Sequence, residues 1–287
     1  MRKYYEATTS DKDILKADVM RLLIERKAED MLQGKNACVL TDVSVLDVQL
    51  DIPAATYFSP EKVAEGAKGG MRKLDFFKVR DTMDKYETGF YVTHETKARQ
   101  QENTQVDFSI DRCARGLAIE KDTEMFTVLK AGSGQNNAAA ATWDASDADP
   151  ASDIAIAIGK IMDNTHITDE DVKNIAIYYP AIMWSQLAKP VDVNGIQKTL
   201  RNWAETEYQI KFFPTRLLNT DALAIIKSNE TALHLAYTGA DIPRSFFDQD
   251  SAGDKYEYTE YFKTVIVPEV DGGTTTNKIC KITDVAT

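Results

Sequence analysis

The stretch Thr104 to Lys130, TQVDFSIDRCARGLAIEKDTEMFTVLK, constrains the fold more than any other part of this chain. Val106, Ile110, Ala114, Leu117 and Ala118, then Met125, Phe126 and Leu129, recur close to the helical period and predict one long amphipathic helix. At about 1.5 Å per residue it spans roughly 40 Å, as long as a small domain is wide. Gly116 is its one weak helix former. A helix of that length must bury its apolar stripe on a sheet or a second helix, so the rest of the chain has to be built around it.

The helix ends at Gly132-Ser133-Gly134, and the composition then shifts to NNAAAATW and the acidic DASDADP. That shift, Gly132 to Pro150, marks the internal boundary. Upstream, Ser10 to Leu32 reads as a second amphipathic helix, with Ser10 and Asp13 as a capping-box-like start and Gly34 as a stop. Downstream the pattern turns α/β. A helix is capped by Ser152, NIAIYYP is a buried strand, and AIMWSQLAK is a short helix closed by Pro190. Ile196 to Trp203 reads as helix, and YQIKFF, DALAIIKS and ALHLAYTG read as strands. A last strand pair, KYEYTEYFKTVIV and NKICKITDV, flanks the turn at Asp271-Gly272-Gly273. The fold class is therefore mixed α+β.

Between the two helices, CVLTDVSVLDVQLDIPAATYF and a second strand-like segment from Leu74 to Ala98 are joined by YFSPEKVAEGAKGGMRKLDFF. They predict an extended hairpin whose glycine-rich tip is too long for a two-residue turn. Gly66, Gly69 and Gly70 lack the spacing of a phosphate-binding loop, and no strand leads directly into a helix there. From Glu61 to Arg80 six basic residues (Lys62, Lys68, Arg72, Lys73, Lys78, Arg80) face three acidic ones, a local charge of +3. From Asp248 to Asp271, by contrast, there are two basic and seven acidic residues, Asp254, Glu257 and Glu260 among them, a local charge of -5. An isolated long hairpin is marginal in water and its edges invite pairing. These segments therefore predict a contact in which the basic hairpin of one copy lies over the acidic strand of another, with steering and register as its main product.

The chain has few means of doing chemistry. His94, His166 and His234 lie far apart, no HExxH or GxSxG occurs, and Ser185 to Lys189 misses the SxxK spacing by one residue. Cys38, Cys113 and Cys280 stand singly, which supports neither a disulfide framework nor a zinc site and points to a reducing compartment. Asp144, Asp147 and Asp149 lack the glycine and the glutamate of a calcium loop. The expectation is no active site, no metal and no cofactor. A net charge of -11 argues against binding nucleic acid over the whole surface. No apolar run approaches a membrane span, and the amino terminus has no apolar stretch of a signal peptide, so a cytosolic origin and no membrane partner are expected.

Taken together, the order of elements resembles the Hong Kong 97-type major capsid protein of tailed double-stranded DNA viruses, a fold shared with encapsulin shells. The elements are an N-terminal arm, a long hairpin, one long helix, an Ala/Gly hinge, an α/β domain and closing strands. The resemblance rests on element order, not on a signature motif, and covers nearly the whole chain. It implies an N-arm at 1–34 and an E-loop with flanking strands at 35–103. It also implies a peripheral domain at 104–150 and 248–287, with its spine helix at 104–130, and an axial domain at 151–247. The function it implies is self-assembly into pentamers and hexamers of an icosahedral shell around packaged double-stranded DNA, assembled in the host cytoplasm. Separate scaffolding, portal or decoration proteins are the implied partners, because the N-arm is short. No lysine–asparagine cross-linking motif can be matched. Two other readings stand beside it: an encapsulin-like compartment with protein cargo, and a cytosolic α/β enzyme.

Overall fold

The computed structural model describes residues 17–53, 76–93, 95, 102–165, 172–193, 196–207, 209–237, 244–248, 253–268 and 273–286. The helices are α1 (Ala17–Met31), α2 (Glu102–Ala131), α3 (Pro150–Thr165), α4 (Trp184–Leu187) and α5 (Leu200–Glu207). The strands of the first half are β1 (Val39–Val43), β2 (Asp47–Pro53), β3 (Phe76–Thr82), β4 (Asp84–Thr93) and β5 (Ser133–Ala138). They are followed by β6 (Ile175–Pro180), β7 (Pro190–Val193), β8 (Ile196–Thr199), β9 (Lys211–Thr215) and β10 (Ala222–Ile226). The chain closes with β11 (Ala232–Tyr237), β12 (Arg244–Asp248), β13 (Gly253–Ile266) and β14 (Thr276–Thr283).

The expected long helix is α2, 30 residues and about 45 Å from end to end. Its buried stripe runs Val106, Ile110, Ala114, Leu117, Ala118, Met125, Phe126 and Leu129. That stripe shares one core with Met20, Ile24, Ala28 and Leu32, the four-residue ladder by which α1 lies along it. Two sheets complete this core. The first has the order β1-β11-β13-β12, with β4 on the opposite edge of β13. It contributes Val92, Ala232, Tyr258, Phe262 and Ile266. The second has the order β5-β14-β10-β6-β9 and contributes Ala176, Tyr178, Leu223, Ile225 and Ile279.

The second sheet is covered on both faces. Alternate residues of the same strands, Ile175, Ile177, Tyr179, Ala222, Ala224 and Ile226, belong to a separate core with Ile154, Ala157 and Ile161 of α3 and Leu200 and Ala204 of α5. Every residue of β6 and of β10 is buried. This is why IAIYYP and ALAII read as unbroken apolar runs rather than as alternating ones.

Several local readings change in the structure. The stretch after Gly132 is no hinge: Ser133 to Ala138 form β5, which pairs in parallel with β14. The two closing strands are not partners. β13 pairs with β4, β11 and β12, whereas β14 pairs with β10 and β5. Residues 248–287 are thus divided between the two sheets. The run Ile196 to Trp203 is a strand for four residues before it becomes helix, because Ile196–Thr199 pair with Pro190–Val193. Cys38 to Phe58 is broken at Ser44 to Leu46 into β1 and β2, which enter different sheets. Of the first helix, residues 10–16 lie outside the described residues.

Polar clamps fix α2 to its neighbours. Asp122 accepts from the backbone N–H groups of Gln33 (3.0 Å) and Gly34 (2.8 Å), which follow the end of α1. Burial pushes its carboxyl above the usual range, and the two N–H donors pull it back. Gly34 sits close against α2 there, since a Cβ would stand 2.3 Å from the Met125 sulfur and push that side chain aside. β4 stops opposite Phe262, and just beyond it the Thr264 N–H donates to Glu124 (2.7 Å) in place of a strand. At the far end of α2, a Cβ on Gly132 would meet Ile266 at 2.4 Å, so the helix ends where it touches β13. Replacing Asp122 by Ala strands two backbone donors and is expected to cost about 3 kcal/mol. Urea unfolding of the purified chain measures it.

Candidate functional site

Of the hairpin expected from the sequence, β2 and β3 are paired antiparallel from Asp47↔Thr82 to Pro53↔Phe76, the second segment leaves it after Thr82 because β4 pairs with β13, and residues 54–75 of the expected tip lie outside the described residues. Its base is fastened to the first sheet by a small apolar cluster of Val48, Met83, Leu235 and Val265, with Leu50 and Val79 packed beside them. Lys78 and Arg80 are exposed on β3, opposite Asp51 and Gln49. Of the other basic candidates, Lys62, Lys68, Arg72 and Lys73 lie outside the described residues.

The three acidic candidates all lie on β13 but in different surroundings. Asp254 and Glu257 are half-exposed, and Glu257 meets Lys255 at 2.7 Å. Glu260 is engaged inside the subunit: its Oε1 meets the Lys121 Nζ at 2.5 Å, with the two side chains 11% and 6% exposed. The Lys121 ammonium also stands 5.4 Å from the centre of the Phe262 ring. The charge of Glu260 is therefore largely compensated before any neighbour arrives.

The pair belongs to a longer chain of contacts. Arg21 donates to Glu25 (2.8 Å) on α1, and the Tyr258 hydroxyl lies 3.3 Å from Glu25 and 3.1 Å from Glu260. A hydroxyl has one proton, so Tyr258 serves one carboxylate at a time. Burial, with the Glu260 charge behind it, pushes the phenol far above its ordinary range. His234 on β11 sits at the edge of this network. Its Nδ1 is 3.0 Å from the Thr264 hydroxyl, and its Nε2 is buried without a hydrogen-bond partner. Burial, with Lys121 adding to it, lowers its pKa to about 3, so the ring is neutral. No sequence signal singled out Lys121, because its partner lies on another element, and His234 stood in the sequence only as a lone histidine.

Among the described residues no three His, Cys, Asp or Glu side chains are grouped to hold a metal ion. Cys38, Cys113 and Cys280 are buried, and burial raises all three thiols, Cys38 to about 12 and Cys280 to about 11. Such thiols are poor nucleophiles. Among the described residues, no helix is long and apolar enough to cross a membrane.

Two measurements test this geometry. Lys121→Met alone leaves Glu260 buried without its ion and is expected to cost about 3–5 kcal/mol, whereas Lys121→Met with Glu260→Leu recovers most of the loss. Denaturant unfolding of both variants reads the difference. His234 must take up a proton to unfold in acid, because its folded pKa lies below its unfolded 6.5. Its contribution is present above pH 6.5 and falls by about 1.4 kcal/mol per pH unit as pH drops from there toward 3. His234→Gln is expected to remove that slope from the unfolding free energy.

No protein-family model and no curated protein matches the sequence. Solved structures do. A phage-related protein from Bordetella bronchiseptica RB50 is similar over 92% of this chain and 96% of its own, with a TM-score of 0.65 at 12% identity. A virus-like particle from Pyrococcus furiosus matches over 92% and 97%, with a TM-score of 0.61 at 10% identity. The capsid of a native GTA particle matches over 89% and 91%, with a TM-score of 0.62 at 8% identity. At such identities the likeness is one of fold, and it takes in almost the whole of each chain. The chain has the Hong Kong 97-type capsid fold.

Proposed function

We propose that this chain is the major capsid protein of a tailed double-stranded DNA virus and assembles, as pentamers and hexamers, into an icosahedral shell. The observation that carries the reading is the end-to-end likeness to a virus-like particle and to a capsid, covering 92% and 89% of this chain. A two-stranded ribbon, β2 with β3, whose strands pair with no third strand among the described residues supports it, because two lone strands need a surface to lie on. The reading places the protein in the virion capsid after assembly in the host cytoplasm. Double-stranded DNA would be enclosed without sequence-specific contacts, and separate scaffolding, portal or decoration proteins would act on the shell. The domain limits proposed for it are an N-arm at 1–34, an E-loop region at 35–103, a peripheral domain at 104–150 and 248–287, and an axial domain at 151–247. No catalytic role and no cofactor are proposed.

Within this reading the basic hairpin, through Lys62, Lys68, Arg72, Lys73, Lys78 and Arg80, meets the acidic β13 region of an adjacent copy near Asp254 and Glu257, while Glu260 stays engaged with Lys121 inside its own subunit. Electron microscopy of the purified protein is expected to show uniform closed shells, and a stable monomer would overturn the reading. DNA inside native particles supports a capsid, whereas protein cargo would make the shell a compartment. Reversing Lys68, Arg72 and Lys73 to Glu is expected to cut particle yield, and raised salt should weaken assembly of the parent protein. Undiminished yield from the reversed variant would remove the charge-steered contact while leaving the shell intact.

A further inference from the structure

Opposite its buried stripe, α2 carries a second stripe that nothing in the subunit covers. Phe108, Arg112, Arg115 and Ile119 follow at intervals of four, three and four residues, which places all of them on one side of the helix. At the helical rise they extend over about 17 Å. Phe108 is 65% and Ile119 52% exposed, and both arginines are exposed between them. Neither arginine makes an ion pair among the described residues, and Asp111 beside them is taken by Lys27 of α1 at 2.5 Å. Gly116 adjoins the stripe, and a Cβ there would meet nothing within 4 Å. Packing inside the subunit therefore does not explain a weak helix former in the middle of α2, and its bare backbone lets another chain come close.

Intervals of four, three and four are those of a coiled-coil seam, the side of a helix that another helix covers. This seam is apolar at its ends and cationic at its centre, so its complement is apolar at the ends and carries carboxylates between them. Arginine suits such a centre, because its fork meets a carboxylate through two parallel N–H donors. The seam of a second copy does not fit, since the intervals read the same in both directions and arginine would face arginine. Leu22, Arg26 and Glu29, the outer positions of α1, set a cation where a carboxylate is needed. Residues 1–16 hold four basic side chains against three acidic ones and are no better a complement. A nucleic-acid backbone would use the arginines but leave Phe108 and Ile119 in water. It would also be repelled by Asp107 and Glu120, exposed on either side of the seam.

We infer that the Phe108–Ile119 seam of α2 docks an acidic amphipathic helix of a separate protein. Its carboxylates meet Arg112 and Arg115, and its apolar side chains cover Phe108 and Ile119. The charge pairs fix the register, and the apolar ends shield them from water. A partner helix of roughly three turns spans the seam. The inference concerns the single subunit and stands apart from the shell reading.

Fluorescence anisotropy of labelled helical peptides with the full chain tests it. One peptide carries leucine, glutamate, glutamate and leucine at the intervals of the seam, in an alanine- and glutamine-rich helix of about 18 residues. The other carries lysine in place of both glutamates. The parent is expected to bind the glutamate peptide about tenfold or more tighter than the lysine peptide, and raised salt to weaken that binding. Arg112→Glu with Arg115→Glu is expected to exchange the preference, and Phe108→Ser with Ile119→Ser to abolish binding of the glutamate peptide. All four side chains are exposed, and circular dichroism checks that the variants keep the helix content of the parent. Equal binding of the two peptides by the parent overturns the inference without recourse to any variant. A preference that survives the charge reversal overturns it too, as does a short DNA duplex that binds this seam more tightly than the glutamate peptide. Ile119→Cys with a maleimide label tests for a second copy, since the three native cysteines are buried. Labelling in particles of this chain alone is expected to match that in dissociated subunits, and protection in the particles overturns the inference. Failure of the parent to form particles removes the shell reading and leaves the peptide result to decide this one.

Discussion

The seating of α2 is the interaction on which the rest of the structure depends. Its stripe is contacted by α1, by the first sheet and by the second sheet, all within one core. Among the described residues no strand joins one sheet to the other, and both pack on this helix within the same core. Apolar burial along a helix of that length supplies most of the attraction, but it is non-directional and would tolerate sliding. The polar clamps supply the register. Asp122 holds the end of α1, Glu124 takes the Thr264 N–H where β4 runs out, and Lys121 meets Glu260 across the sheet. Three charged positions within four residues, 121, 122 and 124, thus point at three different neighbours.

A body fastened this way can carry an appendage that does not contribute to its own core. Among the described residues β2 and β3 pair with each other alone, and they pack on the first sheet through Val48, Leu50 and Val79. Their alternation of apolar and charged residues suits a ribbon with one side against protein and one side available. A two-stranded ribbon with one side uncovered suits the shell reading proposed above, in which contacts are made between copies.

The buried ionic chain from Arg21 through Glu25, Tyr258 and Glu260 to Lys121 is an expensive way to join α1 to β13. An apolar substitute of equal volume would match it in stability. What it provides is direction: the Tyr258 hydroxyl reaches Glu25 on α1 at one position of that helix, so sliding α1 along α2 would break this link.

Much of this was legible in the chain itself, and the division follows the range of the forces. The long helix, the hairpin and the fully buried strands of the second sheet were readable because each is written in a local period or an unbroken apolar run. The order of those elements was sufficient to suggest the fold. Strand partnership was not readable. β13 and β14 look like neighbours across a short turn, yet β13 carries three other strands and β14 goes to the far sheet. Pairing at that distance is decided by which faces can be buried together, and a window of sequence holds no record of it. The same limit explains Glu260, which by composition belonged with Asp254 and Glu257 as a surface charge. Only the packing of α2 brought Lys121 within reach of it, and with that contact the exposed carboxylate became a buried one.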